Sequence, residues 1–202
     1  MDFMNINISE FNTSTSISVC ERKAFLALFV PVLGGHYRYA LRYVFRHTVF
    51  LRLAAGEVVL AERLNGEDDN VIIVLSGLVS GYRRSDLGKR YDTWLGESKS
   101  VFICSQHNYE SQAISLEAID YAQLIIISRK ELASGCQAFP ILNRLFTHLI
   151  FPNATRDLNH YAILSKLDSR SSRLSYLQRM YPEVWHRVPA RIYQTYGSNY
   201  FL

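Results

Sequence analysis

The 202-residue chain reads as an α+β fold in which a compact antiparallel barrel or jelly roll is set between helices. Three observations predict it. Short β-rich runs recur at near-regular spacing between residues 48 and 128, each closed by a turn signal. The apolar period is helical over Tyr37–His47 and becomes so again after Ser128. A composition 49 % hydrophobic and 20 % charged is that of a folded protein with a sizeable core.

Residues 1–35 are expected to form an N-terminal arm. Its first 20 residues, rich in Asn, Ser and Thr, predict a loosely held stretch. Ala24–Leu33 is the longest apolar run. At ten residues with Pro31 inside, it is too short to span a bilayer and predicts a packed helix or strand. The first ten residues carry Asp2 and Glu10 and no Lys or Arg, which does not fit a signal peptide. From Tyr37 to His47, Tyr37, Leu41, Val44 and Phe45 share one helical stripe and Arg38, Arg42 and Arg46 another, so an amphipathic helix follows.

The β-rich runs are Thr48–Leu53, Val58–Ala61, Val71–Leu75, Leu78–Arg83, Arg90–Leu95, Val101–Cys104, Gln112–Ala118 and Ala122–Ile127. Gly56, Gly66, Gly77 and Gly96 fall in the turns between them. Ser128 then predicts an N-cap with Glu131 at the capping-box offset. Pro140 opens a longer helix whose stripe is Ile141, Leu142, Leu145, Phe146, Leu149 and Ile150, with a bend expected at Pro152. Helical signal resumes over Thr155–Leu167, and two short helices are expected at Ser169–Met180 and about Pro189–Tyr196.

Charge is uneven. Residues 144–202 hold eight Lys/Arg against three acids, while the rest of the chain is close to neutral. A basic end on a neutral body suits phosphate contact, although solvated helix faces give the same pattern. Cys20, Cys104 and Cys136 are odd in number and widely spaced. They predict a reducing cytoplasm and no disulfide framework or structural zinc. The six histidines show no metal-ligand spacing, and no nucleophile elbow, P-loop or dinucleotide fingerprint is present, so neither a cofactor nor a catalytic function is predicted.

Four stretches carry a resemblance. LRLAAGEVVL (Leu51–Leu60) has a strand, a Gly-Glu turn and a strand; VIIVLSGLVSGYRR (Val71–Arg84) has a glycine-centred hairpin. LIIISRKEL (Leu124–Leu132) runs from a strand into a helix, and RLSYLQRMYPEVWHRVPARI (Arg173–Ile192) precedes the chain's last glycine turn. In this order they resemble the Crp/Fnr regulators, the last stretch being similar to a subgroup of Bacteroidetes-type genomes. The resemblance covers about residues 36–200. It implies a cyclic-nucleotide-binding-like double-stranded β-helix (jelly roll) at 36–133, a long dimerisation helix at 134–167, and an incomplete, truncated helix-turn-helix region at 168–202.

In the family a Gly-Glu pair and an Arg-Ser/Thr-Ala run hold the ligand phosphate. Counting back from Ser128 puts Gln112 at the arginine position and Ala113 at the serine position, with Val101-Phe102 where Gly-Glu belongs; Gly96-Glu97 lies too far ahead and is read as the preceding turn. No Arg or Lys lies between Val101 and Ser128. A buried phosphate without a charge-assisted partner is strongly disfavoured, so cAMP or cGMP binding is not expected. The remaining effector pocket, walled by Phe102, Ile103, Tyr109, Gln112 and Ala113, either takes a neutral or amphipathic ligand or is simply the filled interior of the roll.

Val188–Gly197 looks like the first helix of the helix-turn-helix with its glycine turn, leaving Ser198–Leu202 for a recognition helix that needs several turns. Arg170, Arg173, Arg187 and Arg191 are the phosphate-contact candidates, but phosphate contacts position a protein without specifying sequence. Any DNA binding is therefore expected to be weak or non-specific. The implied homodimer would use Leu142, Leu145, Phe146 and Leu149. Two readings stand: a cytoplasmic Crp/Fnr-like transcriptional regulator with a degenerate effector cassette and an unknown effector, or a sensor or protein-interaction module that acts by dimerising without touching DNA. Neither involves a membrane.

Overall fold

The computed structural model describes residues 17–35, 37–59, 69–85, 87–104, 114–183 and 185–197. Helix α1 (Val19–Leu33) starts at Ser18, whose Oγ accepts the Glu21 N–H (3.2 Å) while the Glu21 carboxylate accepts the Ser18 N–H (2.7 Å). Phe25, Leu28, Phe29 and Leu33 recur on one face and are buried, so this part of the expected arm is a core helix. Helix α2 (Arg38–Arg46) buries Ala40, Leu41 and Val44 and leaves Arg38, Arg42 and Arg46 outside, as its two stripes predict.

Eight strands follow among the described residues: β1 (Thr48–Leu53), β2 (Val58–Val59), β3 (Asn70–Ser76), β4 (Val79–Arg84), β5 (Arg90–Gly96), β6 (Val101–Cys104), β7 (Ser115–Ala118) and β8 (Ala122–Ser128). They form two four-stranded antiparallel sheets, ordered β1-β8-β3-β6 and β2-β7-β4-β5. Apart from the β4-β5 hairpin, sequence-adjacent strands lie in different sheets, which winds the chain into a roll. Ile72, Val74, Leu124 and Ile126 point into the roll; their neighbours Val71, Ile73, Ile125 and Ile127 point outward under the helices. Burial on both faces explains why β3 and β8 are continuous apolar runs rather than alternating ones.

Ser128 caps α3 (Arg129–Ala138), its Oγ accepting the Lys130 N–H at 3.2 Å. Glu131 does not close the expected capping box. Its carboxylate instead meets His47 Nδ1 (2.8 Å) and the Tyr43 hydroxyl (3.2 Å), tying α3 to α2. The expected long helix at 134–167 is interrupted: α3 stops at Ala138, a 3-10 turn spans Pro140–Leu142, one α-turn spans Asn143–Leu145, a π-turn spans Phe146–Ile150, and α4 runs Phe151–Lys166. Pro152 sits in the first turn of α4, where its missing N–H matters least, and the π-turn ahead of it absorbs the register change. Then come α5 (Arg170–Met180), capped by Ser169, a 3-10 turn at Trp185–Arg187, and α6 (Ala190–Gly197). None of the described helices is long and apolar enough to cross a membrane.

Arg52 of β1 grips the buried Glu21 through Nε (2.6 Å) and Nη2 (2.5 Å), which fixes α1 to the roll. Hydrogen bonds from Arg52 outweigh burial and hold the Glu21 carboxyl below its ordinary 4.5. A lowered carboxylate pKa means this contribution is complete above that value and is lost as pH falls through the depressed one. Glu21→Gln should lower stability by about 2 kcal/mol at pH 7, and urea unfolding should show the difference from wild type narrowing below pH 4.5. Gly77, between β3 and β4, has φ +87, and a Cβ there would lie 2.4 Å from the Tyr121 carbonyl oxygen. Gly77→Ala should therefore cost more than about 2 kcal/mol by the same assay.

Candidate functional site

The C-terminal helices lie against the sheet β2-β7-β4-β5. Their apolar residues Tyr176, Leu177, Tyr181, Val188 and Ile192 are buried with Leu78 and Leu95 of the roll and Leu164 of α4. Burial pushes the Tyr181 phenol above its usual range, and its hydroxyl donates to the Leu95 carbonyl at 3.4 Å.

Beside this apolar contact is an ionic one. Glu117 on β7 is 7 % exposed, and its two carboxylate oxygens separately accept Arg90 of β5 and Arg191 of α6. Arg90 also donates to Asp92 through Nε (3.0 Å) and Nη2 (2.5 Å), and its guanidinium lies 3.8 Å from the centre of the Tyr82 ring. Burial alone would lower the Arg90 pKa, but its hydrogen bonds to the two carboxylates outweigh it and leave the pKa raised. Asp92, 1 % exposed, accepts the Ser80 hydroxyl (2.7 Å) on one oxygen and the Thr195 hydroxyl of α6 (3.1 Å) on the other. At the edge, Asp120 accepts the Leu78 N–H (2.7 Å) and pairs with Arg187 (2.7 Å). Roll carboxylates thus meet the basic end of the chain. Buried charges persist because each is paired and hydrogen-bonded.

The phosphate-contact candidates separate accordingly. Arg170 is exposed at the start of α5. Arg173 is 4 % exposed and its Nη1 donates to the Leu167 carbonyl (2.6 Å), closing the C-terminus of α4. Arg187 and Arg191 are held by Asp120 and Glu117. Of the proposed pocket residues, Phe102 and Ile103 lie on opposite faces of β6. Phe102 faces the roll interior against Trp94 (ring centres 5.5 Å apart), whereas Ile103, one residue on, lies on the other face and is 37 % exposed. Tyr109, Gln112 and Ala113 lie outside the described residues. Gly96-Glu97 opens the turn between β5 and β6, where the Glu97 carbonyl accepts the Ser100 N–H (2.9 Å).

The four apolar positions assigned to a dimer contact are core residues of the single chain. Leu142, Leu145 and Leu149 are 0 %, 1 % and 4 % exposed and pack with Phe25, Phe29 and Leu33 of α1; Phe146 is half-buried against the same cluster. The expectation failed because it assigned no partner to α1, which covers this stripe. The exposed apolar residues of α4 are instead Phe151 (54 %), Leu158 (66 %) and Ile163 (43 %). Sequence reasoning also missed Asp92, Glu117 and Asp120. A signal was present: Asp92 and Glu117 are acids within apolar strand segments, where a charge requires a partner.

No family model and no curated protein matches the chain. Solved structures do. A mutant of CooA from Carboxydothermus hydrogenoformans aligns with a TM-score of 0.50 at 14 % identity, over 83 % of this chain and 99 % of that one. A structure from Eubacterium rectale, described as a transcriptional regulator of the crp/fnr family, aligns with a TM-score of 0.54 at 13 % identity, over 79 % of this chain and 76 % of that one. At these identities the likeness is one of fold.

Asp120 separates two roles. Asp120→Asn keeps an acceptor for the Leu78 N–H and loses only the half-exposed Arg187 pair, so it should cost less than about 1 kcal/mol. Asp120→Ala leaves that N–H unpaired and should cost about 2 kcal/mol. Urea unfolding of the two variants measures the difference.

Proposed function

We propose that this chain is a transcriptional regulator of the Crp/Fnr kind, acting in the cytoplasm as a homodimer, with its C-terminal helices held on the roll in the conformation described above. Its fold likeness to the crp/fnr-family structure from Eubacterium rectale supports the general kind. The observation that carries the finer reading is the pairing of Arg187 with Asp120 and of Arg191 with Glu117: two basic groups suited to phosphate are engaged by the chain itself. DNA contact then requires these helices to leave the sheet. The reading includes no cyclic-nucleotide dependence, because the cassette lacks its arginine and Trp94 and Phe102 help fill the roll.

The homodimer contact belongs on the exposed face of α4, where Phe151, Thr155, Leu158 and Ala162 are spaced like one side of a coiled-coil seam. Arg173, buried and tied to a backbone carbonyl, favours the second reading, a dimerising sensor or interaction module that does not bind DNA.

A gel shift on random duplex DNA across a salt series decides between them. The Glu117→Gln/Asp120→Asn double variant, which frees Arg187 and Arg191, should bind about tenfold tighter than wild type at low salt, with a salt slope steeper by up to about two. Absence of binding by both proteins at low salt leaves the non-DNA reading. In sedimentation, Leu158→Glu should give folded monomers, whereas Leu145→Ala should leave association intact and cost about 2–5 kcal/mol of stability.

A further inference from the structure

Helices α1 and α2 and the turn between them line a groove of about 380 Å³ to which neither the strands nor the C-terminal helices contribute a described residue. Phe25, Leu26, Val30, Leu41 and Phe45 line its apolar wall, and Arg22, Arg38 and Arg42 stand around it. All three arginines are exposed, and none forms an ion pair among the described residues. Between Ile17 and His47 there are five Lys/Arg and one acid, Glu21, which is buried and already held by Arg52. The groove therefore has an apolar wall and a positive mouth that no acid among the described residues pairs.

We propose that this groove binds a single-chain amphiphile with an anionic head, of which a fatty carboxylate is the simplest form. Its volume falls at the low end of the roughly 300–1,000 Å³ typical of small-molecule sites. Arg38 and Arg42 are one turn apart on α2 and line the groove together with Arg22 of α1, so planar guanidinium donors are available to a carboxylate there. The alkyl chain lies on the aromatic and aliphatic wall. A neutral ligand would leave the arginines without a role, and a small inorganic anion would leave the wall in water. Because α1 packs on the α-turn at Asn143–Leu145, ahead of α4, occupancy would stiffen the helical layer of the protein.

Gly35 provides a clean test. Gly35 lines the groove and a Cβ there would lie 3.8 Å from Val30 Cγ1, in ordinary contact, so Gly35→Phe is the variant designed to occupy the site. Titration calorimetry of the full chain with dodecanoate, dodecan-1-ol and acetate should give about one dodecanoate per chain, with dodecan-1-ol at least about tenfold weaker and no detectable acetate binding. Arg38→Gln/Arg42→Gln should weaken dodecanoate at least about tenfold, and Gly35→Phe should abolish binding with the melting transition retained. No dodecanoate binding by wild type, equal binding of the alcohol, or binding that survives Gly35→Phe overturns the proposal. So does self-association abolished by Gly35→Phe, which would assign the groove to a second copy.

Discussion

One buried carboxylate, Glu117, joins the two halves of the molecule. It is 7 % exposed on β7 and accepts a guanidinium from each side, Arg90 of the roll and Arg191 of the last helix. Such a group is costly to bury alone and stable only with both partners present. The constraint works in two directions: the roll needs a cation from outside the sheet, and the C-terminal helices acquire a fixed register on it. Asp92 and Asp120 extend the contact to Thr195 and Arg187, while Ile192, Val188 and Tyr181 supply the apolar area beneath.

The other side of the roll is covered by different chemistry. The outward residues of β3 and β8 meet α1, α2 and the turns around Leu142–Ile150 in one apolar cluster, with the Arg52–Glu21 pair at its margin. The two four-stranded sheets thus have unlike coats, one mainly hydrophobic, one mixed with ion pairs. Hydrophobic packing lacks direction, whereas hydrogen-bonded ion pairs require a defined geometry and lose most of their strength when it is lost. A contact of the second kind is the better suited to being made and broken.

Much of this was legible in the residues. The eight strands were readable because each β-branched run ends at a turn residue, and β1 and β6 coincide with their predicted bounds. The cap at Ser128 was readable for the same local reason. What escaped was non-local. The Leu142–Leu145–Leu149 stripe suggested a partner because periodicity shows that a face is apolar, never what covers it, and α1 lies more than a hundred residues earlier in the chain. Glu131 matched a capping-box offset, yet His47 and Tyr43, brought close by packing, took its carboxylate. The arginines of the C-terminal end suggested phosphates because their carboxylates sit on β7 and in the β7-β8 turn, far away in sequence and beyond any local pattern.

The stowed arginines leave the basic C-terminal segment restrained by the chain's own roll. The keystone of that restraint is the Glu117–Arg191 pair, and a double-mutant cycle with Glu117→Gln and Arg191→Gln, read by urea unfolding, measures that coupling directly. A coupling energy of about 1–3 kcal/mol is expected for a hydrogen-bonded pair with a buried carboxylate. Additive effects, within about 0.3 kcal/mol, would mean that Arg191 is not held by Glu117 and would contradict the restrained arrangement.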